Sequence, residues 1–209
     1  MEGWRGGKRP GAGIRRKVTR KVGAVEDTVH CEELQGEDRL TVERQLARPL
    51  RGEVGAASRC PHGKVQVIAT SPLLEDGTPF PTLFWLTCPL LQRAVSRLEG
   101  SGFREELRCR IRAEAAFAAG LRKAEEDYRR AREAWAERMG VADAVRELFG
   151  EREGIGGTVA GGLKCLHAHL AHYLAGGANP VGEKVAERVG DIQREDCRGD
   201  CGPFVGKRR

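Results

Sequence analysis

The sequence has no apolar run approaching the roughly 18–20 residues that cross a bilayer, and its start lacks the apolar core of a signal peptide. These absences disfavour membrane spanning and secretion, and a soluble cytoplasmic protein is the expectation. No internal repeat is present. Neither a GxxxxGK(S/T) nor a GxGxxG pattern occurs, so the glycines at 154–162 read as a flexible loop, not a phosphate cradle. Aromatics are few, three Trp, two Tyr and six Phe, but 209 residues at 40% apolar content suffice for one ordinary domain with tails.

Acidic residues are nearly absent from the beginning of the chain. Residues 1–23 carry eight cations, from Arg5 to Lys21, against Glu2 alone, and Lys207, Arg208 and Arg209 close the sequence. The formal net charge of +6 therefore belongs to the ends, and the body between them is net acidic. The basic arm is a candidate for non-specific contact with polyanions, whereas the folded part shows no sign of a nucleic-acid groove. Gly3, Gly6, Gly7, Pro10, Gly11 and Gly13 break any periodicity there. Residues 1–36 are accordingly expected to form a disordered arm, 37–195 a single domain and 196–209 a flexible tail.

Two segments read as strands. Lys64–Thr70 is rich in β-branched residues and stops at Pro72, and Thr82–Thr87 is apolar between Pro81 and Pro89. The Asp76-Gly77 pair between them favours a turn and hence antiparallel pairing. Helices account for the rest. A short one is expected over residues 40–46 and ends before Pro49; others are expected over 90–98, 165–175 and 181–189. From Phe103 to Met139, apolar residues recur at mostly helical spacing through charged sequence, which predicts one long helix, broken near Gly120 if at all. Glu106–Arg110, Glu125–Arg129 and Glu126–Arg130 are placed for i,i+4 pairing along it. The expected fold is α+β: a small antiparallel sheet packed by helices, with one long charged helix.

The seven cysteines are odd in number and accompany no secretory signal, which argues against a disulfide framework and leaves thiols, metal ligands or a nucleophile. Two short clusters concentrate the chemistry. Arg59-Cys60-Pro61-His62-Gly63 precedes the first strand, and Cys165-Leu166-His167-Ala168-His169-Leu170-Ala171-His172 follows the glycine loop. Each holds a Cys-x-His pair, and thiolate sulfur with imidazole nitrogen is the donor set zinc favours. Cys60, His62, Cys165 and His167 would complete a tetrahedral site, with His172 as a substitute ligand. A single intervening residue chelates only where the backbone turns sharply. If Cys165 lies on the helix, it shares a face with His169 and His172; if it precedes the first turn, it converges with His167. Taken singly, each of these residues has a bland reading as core packing.

The same residues support other classes. An open zinc position, or Cys165 as a nucleophile near a helix N-terminus with a histidine base, would make a hydrolase. An interaction protein would use the long charged helix, with the Cys/His segments only stabilising the fold. Cys197 and Cys201 offer either late ligands or loose thiols.

Four strings in order, Arg59–Gly63, Asp76–Leu83 with Leu86–Pro89, Lys164–His167 with Ala171-His172, and Asn179–Gly182, together resemble the bacterial domain of unknown function family 501. The resemblance spans roughly residues 38–190. It implies a cytoplasmic bacterial protein, and it brings no catalytic residue because the family has no established activity. In the family pattern either Cys or His stands two residues after the cysteine matching Cys60, an exchange that suits a ligand better than a packing residue. His169 lies outside that pattern. Zinc binding in an unidentified process is the leading expectation.

Overall fold

The computed structural model describes residues 31–74, 76–149, 154–163 and 165–202. The expected disorder and polyanion contacts of residues 1–30, and the last seven residues of the expected tail, fall outside these. Lys164, beside the second Cys/His cluster, does too.

The β-branched run becomes the centre of the sheet. Strands β1 (Glu32–Glu33), β2 (Val54–Arg59), β3 (Val65–Thr70) and β4 (Phe84–Leu86) pair antiparallel in the order β1-β2-β3-β4. Cys60 to Lys64 turns the chain between β2 and β3, with Gly63 at φ +73°. Asp76 accepts a hydrogen bond from the Thr78 amide in the longer β3–β4 connection, as the Asp-Gly pair implies.

Helix α1 (Gly36–Leu46) covers one face of the sheet over Val42, Val65 and Ile68, and stops at left-handed Ala47 before Pro49. The other face buries Val67, Ala69, Phe84 and Leu86 under α2 (Pro89–Gly100), α4 (Ala115–Arg138), α6 (Leu166–Leu174) and α7 (Pro180–Val189). Helices α3 (Phe103–Ala113), α5 (Ala142–Phe149) and α8 (Ile192–Glu195) complete an α+β fold. No helix among the described residues is long and apolar enough to cross a membrane.

Several expectations need correcting. Ordered structure begins earlier than residue 37: Glu32–Glu33 form β1 on the edge of β2, and Leu34 is buried. The long helical segment breaks at Glu114, which is extended (φ −111°, ψ 99°), not at Gly120. Gly120 lies inside α4, where a Cβ would come within 3.3 Å of Pro180, so its small size serves helix packing. None of the three expected i,i+4 pairs is among the ion pairs of the described residues. Arg110 binds Glu114, Arg129 binds Glu133, Arg130 binds Asp127 and Glu106 binds Arg188, while Glu125 is buried and accepts the Gly161 amide. The aromatic stripe of α4, Phe117, Tyr128 and Trp135, is spent on the core.

Candidate metal centre

Cys165 occupies the N-cap of α6 in extended geometry (φ −139°, ψ 119°), so it precedes the first helical turn. A side chain at the N-cap leans over the residues that follow it, and Cys165 Sγ lies 3.6 Å from Nδ1 of His167. The choice left open by spacing is thereby made: Cys165 converges with His167, not with His169 and His172.

The third member comes from the end of α2. Glu99 Oε2 lies 3.5 Å from His167 Nδ1, while Oε1 accepts the Leu166 amide at 2.7 Å and pairs with Arg104 at 3.2 Å. Among the described residues, Glu99, Cys165 and His167 form a group whose potential ligand atoms all lie within 4.8 Å of one another.

The protonation of the ring follows from its other nitrogen. His167 Nε2 is 3.1 Å from the Gln92 carbonyl oxygen, which can only accept, so Nε2 carries a hydrogen. The Nδ1 lone pair then points towards sulfur and carboxylate. Three bare electron-pair donors cannot face one another, so a proton, on the Cys165 thiol, the Glu99 carboxyl or the His167 ring, or a metal ion lies among them. Burial pushes the His167 pKa down, but Cys165, the Gln92 carbonyl and Glu99 outweigh it and hold the ring above its ordinary value. Burial likewise raises the Cys165 thiol, and the His167 ring with the Ala168 amide more than reverses this, leaving it below its usual range.

Cys165 and His167 lie in the wall of a cavity of about 520 Å³. Its other walls include Leu46, Phe84, Trp85, Leu86 and Ile155; among the described residues that line it, Arg48 is the only arginine or lysine and none is a carboxylate.

The remaining expected ligands lie elsewhere. Cys60 and His62 sit in the β2–β3 turn, where His62 Nε2 is 3.0 Å from the Gln193 carbonyl and Gln193 donates to Cys88 at 3.5 Å. Cys201 adjoins this region, near Gln45, Cys60, Cys197 and Lys64, and burial raises its thiol pKa. The four-ligand site joining both Cys-x-His pairs is therefore not assembled among the described residues. His172 is buried, stacked parallel on Phe84 and edge-on to Tyr128. Asn179 holds both inner histidines: its Nδ2 lies 3.3 Å from Nδ1 of His169 and of His172, and its Oδ1 caps α7 at the Gly182 amide. These are packing histidines, and burial drives both pKa values down to about 4.

Sequence reasoning missed Glu99 and Gln92. Nothing local marks either, because both reach His167 only through the packing of α2 on α6. The family model described as protein of unknown function (DUF501) matches residues 56–187. No curated protein and no solved structure matches the chain.

Proposed function

We propose that this chain, which belongs to the DUF501 family of proteins of unknown function, is a zinc-dependent hydrolase with Glu99, Cys165 and His167 as its metal ligands. The convergence of these three donors, two of which, Cys165 and His167, line a ligand-sized cavity, carries the reading. A tetrahedral metal with bonds of about 2.3 Å to sulfur and about 2.0 Å to nitrogen spaces those two atoms by about 3.5 Å, close to the 3.6 Å between Cys165 Sγ and His167 Nδ1. Metal-bound histidines characteristically donate their second N–H to a carbonyl or carboxylate, as His167 does to Gln92. Glu99 and thiolate Cys165 together balance the charge of a divalent ion.

Three protein ligands leave one coordination position. Zinc there supplies a Lewis acid and brings the ionisation of a bound water near pH 7. The chain's own contribution is orientation: Leu166 N–H and Arg104 fix the Glu99 carboxylate, Gln92 fixes the ring of His167, and the N-cap geometry fixes Cys165.

The test is the metal content of purified protein. Wild type is expected to retain one zinc per chain, Cys165→Ser and Glu99→Gln to lose it, and Cys60→Ser to keep it. A second reading rests on the Cys165–His167 contact at a helix N-terminus, with Cys165 as nucleophile and His167 as its base. It requires a metal-free wild type whose Cys165 is alkylated by iodoacetamide ahead of the other six thiols.

A further inference from the structure

The cavity beside the three donors is walled partly by the backbone of an edge strand, and the hydrogen bonds of that strand point to what enters it. Two bonds flank the β3–β4 ladder, Thr70 N–H to the Leu83 carbonyl and Thr87 N–H to the Gln66 carbonyl, both 2.8 Å. In an antiparallel pair they make Ile68 and Trp85 the residues that exchange both bonds, so Phe84 and Leu86 turn their N–H and C=O groups away from β3. The side chain of Gln92 confirms the direction, because its amide donates to the outward Leu86 carbonyl at 2.8 Å. The Tyr128 hydroxyl accepts the Leu83 amide at 2.6 Å and also lies against the Phe84 amide. Among the described residues the Phe84 carbonyl and the Leu86 N–H have no strand partner, one on each side of Trp85, and all three residues line the cavity.

We infer that the substrate is an extended peptide segment, which adds to the free edge of β4 as a fifth strand and places a backbone amide beside Cys165 and His167. The proposal rests on the hydrolytic reading of that site and names its substrate class. The unpaired groups define the geometry. A strand running parallel to β4 uses both through the single residue opposite Trp85, whose N–H donates to the Phe84 carbonyl and whose carbonyl accepts from the Leu86 N–H. Antiparallel addition would use the same two groups through two different residues and would also call on the Leu86 carbonyl and the Phe84 amide, where Gln92 and Tyr128 already stand.

The rest of the wall fits the same ligand. Leu46, Ile155 and the ring of Trp85 suit apolar side chains at alternate positions. Arg48 stacks over Trp85 with its guanidinium 5.6 Å from the ring, and no carboxylate among the described residues lines the cavity, so neutral or acidic flanking residues are favoured over basic ones.

The test uses the full chain and follows the Leu86 amide by two-dimensional NMR. Three probes are added in turn: a pool of random hexapeptides blocked at both ends, the same pool N-methylated at every amide, and decanoate. The expected result is that the unmodified pool shifts the Leu86 resonance and slows its hydrogen exchange by about tenfold or more. The N-methylated pool and decanoate leave it unchanged, and an aspartate-containing pool competes better than a lysine-containing one. A silent Leu86 with the unmodified pool, or equal effects from N-methylated peptide or decanoate, overturns the proposal. Glu99 lies outside the cavity wall, so Glu99→Gln separates the two claims. Its metal content tests the zinc reading, and its Leu86 shift, expected to match wild type, tests peptide binding.

Discussion

Cys165 Sγ and His167 Nδ1 lie 3.6 Å apart because the helix that carries the histidine starts one residue after the cysteine. Had α6 begun a turn earlier, Cys165 would share a face with His169 and His172, and both of those point into the core instead. Which residues can act together is thus decided by one N-cap and by the docking of α2, which delivers Glu99.

Acid should unfold the protein through its inner histidines. Burial holds His169 and His172 at about 4 against an ordinary 6.5, so both are neutral when folded and take up a proton on unfolding. Stability is therefore insensitive to these rings above about pH 6.5 and falls as pH drops from there towards 4, by on the order of 3 kcal/mol per ring. Long-range 1H–15N spectra should show both rings neutral at pH 5. Titration of either near 6.5 would contradict the burial argument.

Glycine 182 should tolerate no side chain. A Cβ there would sit 2.3 Å from the His169 carbonyl oxygen and 2.5 Å from the Tyr173 Cβ, where α7 crosses α6. Gly182→Ala should cost roughly 2–3 kcal/mol, as overpacking of a close contact does. Gly100→Ala, at the end of α2 with nothing within 4 Å, should be neutral or slightly stabilising. Denaturant midpoints of the two variants check the contrast.

Tyrosine 128 accepts the Leu83 amide at 2.6 Å in a fully buried site, and burial pushes its own pKa up to about 12. Tyr128→Phe keeps the ring packing and leaves that amide unsatisfied, so a loss of about 1–3 kcal/mol is expected in chemical denaturation. An unchanged midpoint would show that the contact does not hold the start of β4.

Much of this arrangement is legible in the chain itself. The β-branched run of β3, the prolines around β4 and the Asn179-Pro180 start of α7 are local signals, and each element forms where they place it. Strand β2 escapes because Val54-Gly55-Ala56-Ala57-Ser58-Arg59 offers little β-branched character. Its small residues answer to a tertiary demand, since a Cβ on Gly55 would meet the Trp135 ring at 2.6 Å. The site divides in the same way. Cys165 and His167 stand two residues apart and are visible by spacing, whereas Glu99 reaches them from another helix. The Cys60 and His62 pair has the same spacing but turns towards Gln193, a contact no sequence pattern announces.

The most direct test is zinc X-ray absorption of the purified, metal-loaded chain. The account predicts a first shell with one sulfur at about 2.3 Å and two or three nitrogen or oxygen scatterers at about 2.0–2.2 Å, with the sulfur lost in Cys165→Ser and kept in Cys60→Ser. Two sulfurs in the shell, or a protein that retains no zinc, would contradict it.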